Sequence, residues 1–141
     1  MRRAFILCTL LASAAAHAGA LYGVATTVSR HFPDRGYNQV NPGLGVEYDQ
    51  GPWAFALGEY RNSYRRTTTY ATAGFLPVKM GRMRFGVFAG PATGYNVPAI
   101  AGAVLAWRSS QQDGWGVNVL AIPPAPKDGA AVVALQLLKA F

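Results

Sequence analysis

The amino-acid sequence predicts an all-β protein, an eight-stranded antiparallel up-and-down transmembrane β-barrel that follows a secretory signal peptide. Three observations lead to this fold class. Large apolar residues alternate with small or polar ones in one segment after another, as in strands that face lipid on one side and a lumen on the other. Clusters of turn residues separate these segments. Charged residues make up 13% of the chain, about half of their usual share in soluble domains.

The composition of the 141 residues excludes several other classes of protein. A hydrophobic fraction of 51% with 12% aromatic residues excludes a disordered chain, because disordered chains are poor in these residues. The single cysteine excludes a disulfide scaffold. The length corresponds to one domain. What remains is a small, apolar, glycine-rich domain that tolerates an apolar surface or an apolar lumen.

Residues 1–20 have the organisation of a secretory signal peptide. Arg2 and Arg3 form a short basic region, an apolar run follows, and Ala16-His17-Ala18 has the small-x-small form of a signal-peptidase site. The apolar run is too short for a membrane-spanning helix. We therefore expect export, cleavage of the signal, and a mature barrel domain over residues 21–141.

Cleavage would remove Cys8 and His17, so that the mature domain would keep His31 as its one histidine and no cysteine. A metal site built from imidazole or thiolate ligands needs several such residues. The sequence therefore predicts neither a metal site nor a cofactor.

Eight segments of the expected mature domain carry the strand pattern. The second, third, fifth, seventh and eighth place large apolar residues at every other position, the fourth continues in the same style, and the first and sixth complete the set. In chain order the segments are 21–28, 44–48, 53–57, 70–76, 85–90, 99–107, 115–119 and 133–141. The longest apolar run, residues 97–107, contains Pro98 and Gly102 and is too short and too interrupted to cross a bilayer as a helix.

Turn residues place the connections alternately at the two rims of the barrel. Connections rich in Gly, Pro and Asp would form one rim, at residues 49–52, 77–81 and 109–114. The connections at the opposite rim would be residues 30–42, 61–68, 94–97 and 123–128. In outer-membrane barrels the chain ends are periplasmic, which makes this second rim extracellular. The terminal Phe141 suits recognition by the outer-membrane assembly machinery.

The predicted inward face of the barrel consists mostly of small residues, with Glu47 as the clearest charged exception. These small residues are Gly43, Gly45, Ala54, Ala56, Gly58, Gly86, Gly90 and Gly116. Two interpretations stay open. The small residues leave a lumen shaped for a hydrocarbon chain, or they only permit the tight curvature of a small barrel. A polar plug or a water-filled pore would need more inward charge than this pattern supplies.

Several stretches resemble the lipid A palmitoyltransferase (PagP) family. They are GPWAFALGEYRNSY at residues 51–64 with the following RRTTTYATAGF, residues 37–39 through 42–45, residues 84–95 with Val97-Pro98, and residues 116–118 through Ile122-Pro123. Together they cover most of the expected mature chain. The resemblance implies an eight-stranded outer-membrane barrel that moves a palmitoyl chain from a phospholipid to lipid A.

The resemblance also implies a catalytic site at the extracellular rim. His31 matches the family histidine after the first strand, and Asn62 and Ser63 match an Asp-Ser pair at the end of the third strand. A histidine general base beside a hydroxyl group suits acyl transfer. Asn62 is a departure, because an amide can orient an imidazole but cannot stabilise imidazolium as a carboxylate does. Considered alone, His31 would be read as a solvated loop histidine.

Three further positions receive roles from the resemblance. Pro98 and Pro123 match prolines whose missing ladder hydrogen bonds open lateral gaps for lipid entry, since proline is otherwise confined to edges and bulges. The alternative is that both prolines simply end short strands at the rim. Gly74 matches a glycine at the floor of the acyl pocket, which helps to set the accepted chain length.

Basic residues concentrate on the two outer loops that carry His31 and Ser63. They are Arg30, Arg35, Arg61, Arg65 and Arg66, in a chain of formal net charge +7. Arginine pairs well with phosphate, so these side chains are candidates for binding the phosphates of lipid A. The alternative is a basic rim that only anchors the barrel against lipopolysaccharide. No nucleic-acid recognition motif is present. Aromatic residues expected in interfacial girdles are Trp53, Trp107, Trp115, Tyr22 and Tyr48.

Three functional hypotheses follow from the sequence. The first is an outer-membrane acyltransferase in a Gram-negative bacterium, which uses phospholipid and lipid A. The second is a non-catalytic barrel that stabilises the membrane or binds lipid or a partner through its outer loops. The third is a soluble, lipocalin-like barrel in the periplasm.

Overall fold

The alternation of apolar and small residues folds into eight strands. They are seen in a computed structural model that describes residues 19–110, 113–125 and 129–141. Residues 1–18, which contain most of the expected signal peptide, lie outside the described residues. The strands are β1 (Ala20–Phe32), β2 (Val40–Gln50), β3 (Trp53–Arg61), β4 (Thr67–Met80), β5 (Met83–Pro91), β6 (Ala99–Arg108), β7 (Trp115–Ile122) and β8 (Ala131–Ala140).

The strands pair in chain order, every neighbouring pair is antiparallel, and β8 returns to pair with β1. The predicted eight-stranded, antiparallel, up-and-down barrel is therefore confirmed. Each strand therefore pairs with a neighbour on both sides, as expected of a sheet that crosses a membrane. Among the described residues, no helix is long and apolar enough to span a membrane.

Two bulges shift the strands away from their predicted limits. In β1 the register shifts between Thr26 and Val28, so that one extra residue reverses the alternation and the strand continues to Phe32. In β4 the register shifts between Phe75 and Val78. Pro77, which was expected in a turn, lies in this bulge, where a residue without an N–H group is tolerated.

The outer face of the barrel is apolar and exposed. Leu44 is 77% exposed and Val87 61%. Trp53 and Trp115 are also exposed, near the rim formed by the short turns, as expected of an interfacial girdle. The prediction for Tyr22 is wrong, because this ring lies inside the barrel with the Arg108 guanidinium 5.0 Å from its centroid.

The interior contains an apolar cluster and several close strand approaches. Leu76, Phe88, Val104 and Ala106 are buried against one another inside the barrel. A Cβ atom added to Gly86 or Gly90 would lie 1.9 Å from a backbone carbonyl oxygen of β4. At these two positions glycine is needed for the approach of β4 and β5, which favours the curvature interpretation there.

Candidate active site

The structure brings His31 and Ser63 together at the rim formed by the long connections. His31 Nε2 lies 2.6 Å from Ser63 Oγ, a distance that corresponds to a strong hydrogen bond. His31 is near the end of β1 and Ser63 follows β3 by two residues. With 3% of its surface exposed, His31 is buried and is not the solvated loop histidine of the alternative interpretation.

The bulge in β1 is what turns His31 towards Ser63. Before the bulge, Val24 and Thr26 are buried inside the barrel, so without it the odd-numbered residues would face outward. The extra residue, which is seen in the pairing with β8, moves Ser29 and His31 to the inner side. Ser29 Oγ then donates a hydrogen bond to Asn41 Oδ1 at 2.6 Å, one layer below the histidine.

The β1–β2 loop, residues 33–39, connects the two sides of the site. The Asn38 backbone N–H donates to the Ser63 carbonyl oxygen at 2.9 Å. Its side-chain Nδ2 donates to the carbonyl oxygens of Asn62 at 3.1 Å and Val40 at 2.7 Å. The preceding residue, Tyr37, stacks on His31 with ring centroids 4.5 Å apart and an interplanar angle of 26°.

The side chain of Asn62 is directed to the loop and not to the imidazole. Asn62 Nδ2 donates to Thr68 Oγ1 at 3.0 Å and to the Gly94 carbonyl oxygen at 2.9 Å. Its Oδ1 accepts the backbone N–H groups of Tyr64 at 2.9 Å and Arg66 at 3.0 Å, which is the turn chemistry typical of asparagine.

These four hydrogen bonds use the full capacity of the Asn62 amide, which is completely buried. The expected role of Asn62 in orienting His31 therefore needs correction, because Asn62 shapes the loop that carries Ser63. Among the described residues, His31 Nδ1 has no hydrogen-bond partner.

A cavity in the lumen begins at Ser63 and extends between the strands. It has a volume of about 80 Å³. Ser63 and Tyr95 lie at its outer end, and Gly74, Leu76 and Ala106 line it further inside. Gly74 thus lies on the wall of the cavity, beside Leu76, where a Cβ atom would be 3.1 Å from Leu76 Cδ1.

A second, wider space lies beside the first and opens laterally. This groove, of about 350 Å³, is lined by residues from the outer loops, β6 and the end of β7, among them His31, Ser63 and Pro123. The β6–β7 pairs run from Ala103↔Ala121 to Arg108↔Gly116, and among the described residues β7 offers no partner to residues 99–102. Ser63 lines both the cavity and the groove.

The two prolines assigned to lateral access occupy different places. Pro123 directly follows the last residue of β7 and lines the groove, where it supplies no N–H group for a further ladder bond. Pro98 directly precedes β6, and its carbonyl oxygen accepts the Ala92 N–H at 3.0 Å on the β5 side. Both prolines lie at strand ends, and only Pro123 lines the groove between β6 and β7.

Two tyrosines at the cavity mouth were not singled out by the sequence analysis. Tyr60 and Tyr95 bring their hydroxyl oxygens to 2.7 Å from each other. Burial raises the pKa of the Tyr95 hydroxyl, so this loop residue keeps its proton and can donate a hydrogen bond. The inward parity of β3 could have indicated Tyr60, whereas Tyr95 lies in a loop without a repeating pattern.

The five arginines predicted to contact phosphate all lie at or near the site rim and are exposed. They are Arg30, Arg35, Arg61, Arg65 and Arg66. Within the part of the chain that the structure describes, the ion pairs are formed by Arg84 and Arg108 only. No carboxylate of the described residues forms an ion pair with any of the five rim arginines.

The opposite end of the lumen holds a network of charged side chains. Arg108 donates to Glu47, to Asp49 Oδ2 at 3.1 Å and to Asn118 Oδ1 at 2.9 Å. Arg84 donates to Asp49 Oδ2 at 2.5 Å. The expectation of few inward charges is therefore wrong. Asp49, Arg84 and Arg108 occupy positions of inward parity in β2, β5 and β6, and this parity is the signal in the sequence that indicates them.

No group of three or more His, Cys, Asp or Glu within the described ranges is placed to hold a metal ion. No family model matches the chain, and no curated protein matches it. Among solved structures, it is similar to a protein described as "De novo design of transmembrane beta-barrels". The two share 18% sequence identity with a TM-score of 0.64, over 86% of this chain and 95% of the other. The likeness shows the fold, which is that of a transmembrane β-barrel. With its apolar exterior, such a barrel is a membrane-embedded protein.

Proposed function

We propose that this barrel is an acyltransferase of the Gram-negative outer membrane that moves a fatty acyl chain from a phospholipid to lipid A. The proposal includes export by a cleaved signal peptide over residues 1–20. One observation carries it: the 2.6 Å contact between His31 Nε2 and Ser63 Oγ lies where the lumen cavity meets the lateral groove. The resemblance to the lipid A palmitoyltransferase family supplies the identity of the substrates.

The chemistry follows from a histidine base beside a hydroxyl nucleophile. His31 Nε2 takes the Ser63 proton while Oγ attacks the ester carbonyl carbon of the phospholipid. The ester C–O bond then breaks, and the lysophospholipid oxygen leaves with the proton that His31 returns. In the second half, a lipid A hydroxyl gives its proton to His31 and attacks the acyl-serine carbonyl. Ser63 leaves as the new ester forms and recovers its proton from His31.

The two spaces at Ser63 give the substrates a path. The groove beside Pro123 is open where β6 lacks a β7 partner, so a lipid chain can approach from the bilayer side. The lumen cavity offers an apolar wall that includes Leu76 and Phe88 for that chain. Gly74 on the cavity wall is the position that we assign to the pocket floor, where it would limit chain length.

The charge at the rim suits the headgroups of both lipids. The five exposed rim arginines lie on the outer connections or at the strand ends beside them, and guanidinium groups bind phosphate through paired hydrogen bonds. We assign them to the phosphates of lipid A. At the other end of the chain, Phe141 is 87% exposed, which makes it accessible to the outer-membrane assembly machinery.

Mass spectrometry of lipid A tests this function. The full chain is expressed in a Gram-negative host that lacks its own palmitoyltransferase, beside His31→Ala and Ser63→Ala. The matched control is Ser110→Ala, a half-buried serine at the other rim whose hydroxyl donates to Asp113 Oδ2. We expect an added acyl mass for the parent and the control and none for the two site variants. An unchanged spectrum from a folded, membrane-inserted parent would overturn the proposal.

A second candidate function has one observation in its favour. Among the described residues no carboxylate is hydrogen-bonded to His31, whose Nδ1 has no partner. This arrangement favours a non-catalytic barrel that binds lipid through its outer loops. That function predicts an unchanged lipid A spectrum together with retained binding of lipid A by the rim arginines.

A further inference from the structure

We propose that Tyr37 is the positioning residue for His31, holding the imidazole plane and stabilising the imidazolium that forms during acyl transfer. The catalytic part of this inference rests on the proposed function, whereas the positioning part concerns the folded chain alone. Tyr37 would contribute the orientation and the charge stabilisation that an acidic partner gives the histidine in Ser-His-Asp sites.

The first step concerns the orientation of the ring. The hydrogen bond to Ser63 is made through Nε2, and Nδ1 has no partner among the described residues. One hydrogen bond leaves an imidazole free to turn about the axis through the bonded nitrogen. The Tyr37 ring, stacked at 4.5 Å with an interplanar angle of 26°, blocks that turn by covering one face of His31.

The second step concerns charge. When His31 accepts a proton, a cation forms over the face of Tyr37, within the distance at which an aromatic ring attracts a positive charge. The face of the ring carries the negative end of its quadrupole. Asn62 cannot make this contribution, because its amide is hydrogen-bonded to Thr68 and to loop backbone.

The third step is how Tyr37 itself is held. Its neighbour Asn38 donates a backbone hydrogen bond to the Ser63 carbonyl oxygen and a side-chain one to that of Asn62. Tyr64 packs edge-on against Tyr37 at 6.1 Å. The same short segment thus fixes the ring on His31 and the loop of Ser63, so that the base and the nucleophile are positioned together.

A spectroscopic test needs no activity. In the full chain with His17→Gln, His31 is the one histidine left of two, so its imidazole resonances are unambiguous. We expect upfield His31 ring protons in micelles, from the ring current of Tyr37. Tyr37→Phe keeps the upfield position and Tyr37→Leu loses it, whereas Tyr48→Leu, at the other rim, changes nothing. An unchanged His31 spectrum in folded Tyr37→Leu would overturn the positioning role.

A kinetic test addresses the charge. Tyr37→Leu should lower kcat on the order of 10²-fold, as misplacement of a catalytic group does, with KM little changed. Tyr37→Phe should stay near the parent value, because its ring also presents a negative face. Loss of kcat in Tyr37→Phe, with the upfield shift retained, would overturn the role of the ring. This comparison holds even if Tyr37→Leu fails to fold.

The two tests separate this inference from the proposed function. A parent chain that transfers no acyl group but shows the ring-current shift would refute the acyltransferase and keep Tyr37 as the residue that orients His31. A parent that transfers acyl groups without the shift would refute Tyr37 and keep the enzyme.

Discussion

Removing Arg108 should destabilise the barrel more than removing any exposed cation. Arg108 is the hub of the charged network at the short-turn end, since its guanidinium contacts Glu47, Asp49 and Asn118. The side chains of Arg108 and Glu47 are 13% and 6% exposed, so water reaches neither of them freely. We consider Arg108→Met, which keeps most of the length of the side chain and removes its charge and all of its donors.

The magnitude follows from what the substitution leaves behind. Asp49 keeps Arg84 as a partner, but Glu47 loses its ion pair and keeps a single amide donor, Asn118. Leaving one member of a buried ion pair uncompensated costs about 3–5 kcal/mol. Glu47→Gln alone should lower the free energy of unfolding by less than Arg108→Met does, because it removes the buried negative charge together with the ion pair. The double variant should cost clearly less than the sum of the two single variants.

Equilibrium urea unfolding in lipid vesicles measures these free energies. Arg82→Met is the matched control, because the Arg82 side chain is exposed at the same rim. The backbone carbonyl oxygen of Arg82, which the substitution keeps, accepts the backbone N–H of Arg108 at 3.1 Å. A surface change of this kind should stay within about 0.5 kcal/mol. A loss in Arg108→Met no larger than in the control would refute the network as a source of stability. If the effects of the Glu47 and Arg108 substitutions on the free energy of unfolding are additive, the network is likewise refuted.

Three more predictions concern the site and the barrel wall. Asn62→Asp should lower the free energy of unfolding by about 1–3 kcal/mol, because the variant loses two buried donors and places a carboxylate against the Gly94 carbonyl oxygen. Increased acylation of lipid A by this variant would instead show that a carboxylate at position 62 reaches His31. Gly86→Ala should cost about 1–3 kcal/mol through overpacking, against little for Gly23→Ala, whose added Cβ finds its nearest atom at 3.6 Å; equal urea midpoints would contradict this. Gly74→Met should shorten the acyl group added to lipid A, and an unchanged acyl mass would remove Gly74 from the pocket floor.

The number of strands could be predicted from the sequence, whereas the residues at which each strand begins and ends could not. Alternation along β2 or β7 is a local property that the chain displays by itself. The bulge between Thr26 and Val28 is decided by how β1 pairs with β2 and β8 together. The continuation of β4 through Pro77 likewise depends on its register with β5. The sequence of β1 or β4 alone does not show how the strand pairs with its neighbours.

The candidate site likewise contains features that the sequence could predict and others that it could not. His31 and Ser63 were placed at the same rim by the alternation of the connections and were paired by resemblance, and His31 Nε2 and Ser63 Oγ lie in contact. The partners of Asn62 could not be foreseen, because three of its four hydrogen bonds go to backbone groups of two loops. The stacking of Tyr37 on His31 could not be predicted either, because loop 33–39 has no repeating pattern that fixes where a side chain points.

The charged network also bears on what the lumen can do. Arg84 donates to the Gly51 carbonyl oxygen in a short turn, and the chain of contacts runs through Asp49 and Arg108 to Asn118 on the lumen wall. The cavity that begins at Ser63 therefore meets ion pairs before it reaches the second rim. A channel needs two open ends, whereas an acyl pocket needs one open end beside a reactive group and one closed end. The lumen has Ser63 at one end and ion pairs towards the other, which is the arrangement that the proposed function requires.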